Sequence, residues 1–545
     1  MIPRLALPPS LAVLALIALA FALPGLLHAP WKTIDVTNIA VAHEMLRTGD
    51  WLVPRLEGRP WLDDPPLYHW AALAFGAALG WLLPFHEAAR LASGLFVLLA
   101  VWLLLQAARA WAAPEERQVG GASAALLLLG SVGLMVHAHE AVPELAALAA
   151  LAGAFAALAH SVQQPWNRRA ALGWGAAFGA ALGAAFLSSG FIVPAALFAA
   201  ALVAHAVCDE WRTRRAPLFL GAAALVAAAI AAAWLSAVSL RAPAAPAAWW
   251  AQASELQGSF DENLRYYVVV ASWFAWPAWP LALWAVWSLR RRWREPQLFV
   301  PLAATVLTLL AISLAGPMQT VNAIPLLAPL ALLAVRGVAV LRRGAAAALD
   351  WFGVMTFGFF VALVWLGYVA MMTGMPAKIS NNFLKVAPGF VARFDAVALG
   401  AALALAFAWF YLVFFTRPSA TRSLVRWAAG VMLLWGSFAT LWLPWADYQK
   451  SYQGVALQLG SKIPAGSTCI AGRNLGEPQR AALDYHAGIR TREFDPLRPS
   501  ACPLLLVQGH PSHERDGPGA EWNKLADVGR PGDKSERYRL YAIER

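Results

Sequence analysis

Runs of roughly 20 apolar residues recur along most of this chain, each long enough to cross a hydrocarbon core of about 30 Å as a helix. Lipid offers no partner for free backbone N–H and C=O groups, so such runs must fold as helices. They fall at about 10–28, 88–108, 119–136, 143–161, 170–187, 190–207, 217–239, 266–289, 298–315, 322–338, 351–373, 394–415 and 427–444, about thirteen in all. Only 13% of the 545 residues are charged and 60% are hydrophobic, whereas soluble domains carry about 25% charged residues. A water-soluble enzyme is excluded. The expected fold is a polytopic α-helical membrane domain over residues 1–444.

The formal net charge of +11 comes largely from Arg in short clusters between the apolar runs: Arg168 and Arg169; Arg212, Arg214 and Arg215; Arg290, Arg291, Arg292 and Arg294; Arg342 and Arg343; Arg417, Arg422 and Arg426. A nucleic-acid surface would be contiguous, so no nucleic-acid partner is expected. Clusters alternating with apolar runs follow the positive-inside rule. With a cytoplasmic N-terminus every cluster lies inside, and an odd number of crossings puts the C-terminus outside. The first run lacks a small-residue cleavage site and is kept as a membrane helix rather than a signal peptide.

Residues 29–86 then form a large outer loop. In it VTNIAVAHEML (36–46) has Ile39, His43 and Leu46 at helical spacing, and 66–84 is an aromatic, apolar stretch. Both are expected as helices lying on the outer membrane face, although an even number of crossings here would also fit the charges. The tail, 445–545, alternates strand-like and helix-like segments (TCIAG, GEPQRAALDYHAG, IRTREF, CPLLLVQG, RYRLYAIE) and is expected to be a small α/β domain outside the membrane. It contains Cys469 and Cys502, whereas Cys208 lies beside an Arg cluster. A Cys469–Cys502 disulfide suits an oxidising compartment, with two unpaired thiols as the alternative.

The polar candidates gather on the outer side: Asp35, Glu44, Asp63, Asp64, His137, His139, Glu140, Glu144, Asp261, Glu262 and Asn322. Ionisable groups at membrane depth are costly and usually functional. Asp35 precedes a helical stretch and reads as an N-cap; the same carboxylate, fixed by capping, suits a general base. Asp63 and Asp64 precede Pro65 and Pro66, again a helix-start pattern, and offer carboxylates for a cation or a sugar hydroxyl. HAHE (137–140) provides His137, His139 and Glu140 as candidate ligands for a divalent metal ion with Asp63; two His in one short stretch also suit interface anchors. Many of the 27 Trp fall near the outer boundary, as an aromatic belt requires.

Two stretches carry a family likeness. EMLRTGDWLVPRL (44–56) and WLDDPPLYHW (61–70) resemble the lipid A aminoarabinose transferases and the wider GT-C glycosyltransferase superfamily, which includes the protein O-mannosyltransferases. AVPEL (141–145), SSGF (188–191) and NAIPLLAPLALL (322–333) extend the likeness over most of the chain. The resemblance implies inverting sugar transfer from a polyprenyl-phosphate donor to a lipid, glycan or protein acceptor, at the periplasmic face of a bacterial inner membrane. It matches Asp35 to the family's base, with one residue fewer before EML, and Asp63 to a second acid. Where the family has cations for the donor phosphate this chain has Asn38, Asp64 and Ser189, and Asn322 replaces a Tyr. Asn38, Asp64 and Asn322 are therefore expected in the substrate site, with Arg55, Arg59, Arg265 and Lys32 as substitute cations for the leaving phosphate. The alternative is a degenerate paralogue that binds lipid-linked sugar or a partner without turnover. A transporter would call for repeated halves and buried charges within several spans, and neither is evident.

Overall fold

The computed structural model describes residues 11–31, 33–163, 167–212, 214–255, 258–314, 318–416, 421–467, 469–495, 502–513, 518–519 and 521–543. All the expected apolar runs carry helix. Nine helices among the described residues are long and apolar enough to cross a membrane, or up to ten if the pair Phe260–Phe274 and Ala278–Ser288, bent by 101°, forms one span. The remaining runs are shortened for local reasons. Leu11–Ala22 stops before Pro24, which lacks an N–H, and Gly25, whose φ is +92°. The run at 119–136 divides at Gly130 into Arg117–Leu129 and Val132–His137, where the Trp427 indole donates to the Gly130 carbonyl at 2.8 Å. Pro277 marks the bend in the Phe260–Ser288 pair.

Small residues bring the helices together. Along Arg168–Ser189, Gly175, Gly179 and Gly183 repeat every fourth residue against Ala216–Arg241. A Cβ at Gly179 would sit 2.3 Å from the Ala223 carbonyl oxygen, so only glycine permits this approach. The 22 residues of Arg168–Ser189 span roughly 33 Å, putting Arg168 and Arg169 at the opposite end of the bundle from Ser189.

The tail is an α/β domain. Its five-stranded sheet runs, edge to edge, Arg492–Glu493, Ile470–Arg473, Leu504–Gly509, Arg537–Ile543 and Trp522–Val528. The first three strands pair in parallel and the last two add antiparallel. Helix Glu477–Ala487 links the second of these strands to the first, and Cys469 is bonded to Cys502. Trp522–Val528 is a strand that the sequence pattern does not mark.

The two outer-loop helices form at Ile34–Thr48 and Leu67–Leu79, but the first is not exposed on a surface. Ten of its residues, from Asp35 to Met45, are buried. It lies between the bundle and helix Glu477–Ala487 of the C-terminal domain. Arg490 donates to Glu44 at 3.2 Å, Thr491 donates its N–H and Oγ1 to Glu57 at 3.2 and 3.3 Å, and His86 Nδ1 meets the Tyr485 hydroxyl at 2.9 Å. Acids of the loop thus serve to seat the domain.

Candidate active site

A cavity of about 620 Å³ opens at the domain-bearing end of the bundle, within the range typical of small-ligand sites. The start of helix Ile34–Thr48 supplies Thr33, Ile34, Thr37 and Asn38, and the Asp-Asp-Pro-Pro turn supplies Asp63 and Asp64. Helix Arg168–Ser189 ends at its wall, because Gly190 takes φ +74° and turns the chain through Phe191 to Val193. Trp249, Gln252 and Glu255 come from the segment around Ala245–Ser254, and Gln319 and Asn322 from the turn before Leu327–Ala339. The C-terminal domain closes one side with Glu477 and Pro478. The wall is therefore polar at the acidic turn and apolar along Phe191, Ile192, Val193, Trp249 and Ile312.

Its electrostatics are one-sided. Asp63, Asp64, Glu144, Glu255 and Glu477 line the cavity, and among the described residues no Lys, Arg or His does. Asp63 accepts from Gln252 Nε2 at 3.1 Å, and Glu477 accepts from the Trp61 indole at 2.5 Å. Asp64 takes a hydrogen bond from the Asn38 side chain. The Asn38 amide is itself fixed: its nitrogen donates to the Ile34 carbonyl at 3.1 Å and its oxygen meets His69 Nε2 at 2.8 Å. Burial pushes the Asp64 carboxyl well above its ordinary value, and the charges of Glu144, Asp63 and Glu477 push the same way. Burial likewise raises Glu477, with Asp63 adding to it. Glu144 is 8% exposed and its Oε2 has no hydrogen-bond partner.

Asp35, expected at the heart of the site, lies outside this lining. Its carboxylate is 1% exposed and accepts four hydrogen bonds. Arg90 Nε and Nη2 donate at 3.0 and 2.8 Å, and the N–H groups of Ala141 and Trp31 at 2.7 and 2.8 Å. Burial alone would raise its pKa, but the Arg90 guanidinium outweighs this and holds it below the usual value. A single step along a helix turns the side chain by about 100°. Ile34 and Thr37 face the cavity and Asp35 faces Arg90. Asp35 forms a structural hub, with no lone pair left for a substrate.

The other expected residues divide. Asn38, Asp63, Asp64 and Asn322 do meet in the cavity, where Asn322 also donates to the Tyr267 hydroxyl at 3.1 Å. The substitute cations do not. Arg55 pairs with Asp50 at 3.5 Å, while Arg59 and Arg265 are exposed and line no part of the cavity. Lys32 lies outside the described residues. The HAHE groups also point elsewhere: His137 bonds Glu140 at 2.8 Å, and both ring nitrogens of His139 face carbonyl oxygens, of Phe21 at 2.7 Å and Met135 at 2.8 Å. Among the described residues no three His, Cys, Asp or Glu side chains converge as a ready metal cage. Glu477 is the contribution hardest to foresee, since an acid in a first helical turn looks like ordinary dipole compensation.

Comparison with known proteins matches this geometry to a fold. No family model matches the chain. Over 194 residues it is 29% identical to an undecaprenyl phosphate-α-4-amino-4-deoxy-L-arabinose arabinosyl transferase of Sodalis glossinidius, covering 34% of this chain and 32% of that protein. Over 105 residues it is 30% identical to the corresponding transferase of Pseudomonas savastanoi, covering 19% of each. The matched stretch is thus a third or less of these relatives' length. The structural likeness spans nearly the whole chain: the crystal structure of ArnT from Cupriavidus metallidurans bound to undecaprenyl phosphate superposes with a TM-score of 0.69 at 20% identity, over 97% of both chains. The resemblance seen at 44–70 therefore extends to the whole fold, a multi-pass helical membrane domain of the ArnT kind with its C-terminal α/β domain.

Proposed function

We propose that this chain is a GT-C-type glycosyltransferase that moves a sugar from a polyprenyl-phosphate carrier to a lipid, glycan or protein acceptor, with inversion. The observation that carries the reading is the cavity itself. It is apolar on one side and acidic on another, and it lies in a fold shared over nearly the whole chain with a protein bound to undecaprenyl phosphate. The apolar side suits a carrier chain and the acidic side a sugar head. The site faces the periplasm of a bacterial inner membrane, the N-terminus being cytoplasmic. Supporting this, Arg168 and Arg169 stand a full helix length from the cavity, as the positive-inside rule requires of cytoplasmic ends.

The base is Asp63 rather than Asp35. Asp63 is exposed in the cavity and oriented by Gln252. The acceptor hydroxyl forms a bond to the anomeric carbon while its proton passes to the Asp63 carboxylate. The bond from that carbon to the phosphate oxygen breaks, its electron pair leaving with the polyprenyl phosphate. Asp63→Asn lowers transfer by about 10²- to 10⁴-fold with folding intact. Mass spectrometry of envelope glycolipids and glycoproteins, from cells with the gene, without it and with the variant, tests this: a sugar-bearing species must vanish in the last two. Identical spectra in all three favour the second reading, a binding paralogue without turnover, for which the cavity-facing Ile34 and Thr37 argue.

A further inference from the structure

Away from the cavity, the connection between helices Arg343–Thr373 and Ala396–Phe415 carries one short helix, Ala377–Val386, at the domain-bearing end of the bundle. Aromatic packing fixes its place. The Phe383 ring meets those of Trp442 and Trp445, each with its centroid 4.9 Å away, and the Trp445 indole donates to the Phe383 carbonyl at 3.4 Å. Tyr448 donates to the Pro388 carbonyl at 3.0 Å, and Gly532 of the C-terminal domain lies against the Val386 carbonyl. Yet no residue of this helix is buried. Ile379, Phe383 and Val386 fall at i, i+4 and i+7 and make one face; Lys378, Asn381, Asn382 and Lys385 make another. Just beyond the helix, Val391 and Phe394 are 75% and 67% exposed.

From Ala377 to Phe394 the chain has three cations, Lys378, Lys385 and Arg393, and no acid. All three are exposed, and among the described residues no carboxylate pairs with them. In the orientation proposed above this is an outer connection, where the positive-inside rule disfavours such a surplus. We infer that residues 375–394 form a membrane-surface site that holds anionic phospholipid headgroups of the outer leaflet; only the choice of leaflet rests on that orientation. The apolar side chains left uncovered beside two long apolar helices, Met375, Leu384, Val391 and Phe394 among them, enter the boundary between headgroups and acyl chains, as those of an interfacial amphipathic helix do. Lys378 and Lys385 lay their stems along that boundary and hold their ammonium groups at the headgroups. Charge then selects the lipid, since each Lys or Arg near the surface favours an anionic leaflet about fivefold. The rival cover is a second copy of the chain. Packed about a two-fold axis, the same patch would face itself and set three cations against three, with no acid between them.

The test uses the purified full chain in nanodiscs whose two leaflets have the same composition, so its outcome does not depend on orientation or on sugar transfer. Val391→Cys carries a bimane fluorophore; Cys208 is buried and Cys469 is bonded to Cys502, so the label goes to the new thiol. Quenching is titrated with nitroxide-bearing phosphatidylglycerol or phosphatidylcholine. Phosphatidylglycerol is expected to quench at mole fractions at least about fivefold lower, and 0.5 M salt, which shortens the screening length to roughly 4 Å, should shrink the preference. Lys378→Gln, Lys385→Gln and Arg393→Gln together should abolish it while both lipids still quench and the melting profile stays parental. A label at Phe407→Cys, exposed in the middle of Ala396–Phe415, should show no preference. Equal quenching by the two lipids at position 391, a preference that survives the triple change, or the same preference at position 407 overturns the site. Quenching by neither lipid at position 391 also overturns it, because protein then covers the patch.

Discussion

Asp35→Asn separates a catalytic from an architectural role for the acid that follows the first helix. Each Asp35 oxygen accepts one bond from Arg90 and one from a backbone N–H: Oδ1 from Nε and Ala141, Oδ2 from Nη2 and Trp31. In either amide orientation, Asn turns its NH₂ toward two donors and loses one bond of each kind. The larger loss is electrostatic, because the Arg90 side chain is fully buried and would keep its charge with no counter-ion. Breaking a buried pair from one side costs about 3–5 kcal/mol. Against a total stability of roughly 5–15 kcal/mol, that is two to nearly four powers of ten in the folding equilibrium. Asp35→Asn should therefore melt far below the parent in detergent or nanodiscs. Combining it with Arg90→Gln should cost less than the sum of the two single changes, since no buried charge remains. The pH dependence has a definite sign. With its folded pKa below the ordinary 3.8, Asp35 contributes fully above that value, and the contribution disappears as pH falls through the folded pKa. A parental melting temperature in Asp35→Asn refutes the hub, and a fully folded but inactive variant restores the base.

Two further variants probe the acids around it. Glu57→Ala removes an acceptor used by Thr491 N–H and Oγ1 and the ion-pair partner of Arg480, 3.6 Å away; it should loosen the C-terminal domain by about 1–3 kcal/mol, seen as faster hydrogen exchange across 477–493, and unchanged exchange counts against the docking role. Asp64→Asn should stabilise the protein increasingly as pH rises. Asp64 has a raised folded pKa, so its favourable term is present below 3.8 and lost as pH climbs through the folded value; a constant melting difference between pH 4.5 and 8 contradicts this.

The sequence was most informative where one physical constraint dominates. Twenty apolar residues in lipid leave no alternative to helix, so the helical regions were legible and only their lengths were not. What shortened them was tertiary: Trp427 on Gly130, or the turn at Pro24 and Gly25. Strand Trp522–Val528 escaped notice because its burial is intermediate over much of its length, so no clean alternation appears. The meeting of Asp63, Asp64 and Asn322 in the cavity was legible from the family stretches that carry them, and that of Asn38 from its spacing three residues after Asp35. Asp35 sits on the core side of its helix, one step from the cavity-facing Ile34, a difference that the residue pattern does not carry. Glu477 could not be reached at all, since it is brought to the cavity by a domain more than 400 residues downstream of Asp64.

That distant contribution explains why so many acids cluster in one loop. Glu44 and Glu57 hold the domain through Arg490, Arg480 and Thr491, and Asp35 ties the loop to the bundle through Arg90. With those charges neutralised by their own partners, the domain can bring Glu477 up to Asp63 and Asp64 at the cavity wall, which no described cation lines. The loop therefore separates its acids by partner: the paired ones fix geometry, and the unpaired ones concentrate negative charge on one wall. Docking energy from the first set, each interaction modest by itself, is what holds the second set close enough to repel. A domain that came loose would relieve that repulsion and open the cavity together, so the seating of the tail and the electrostatic state of the site are linked.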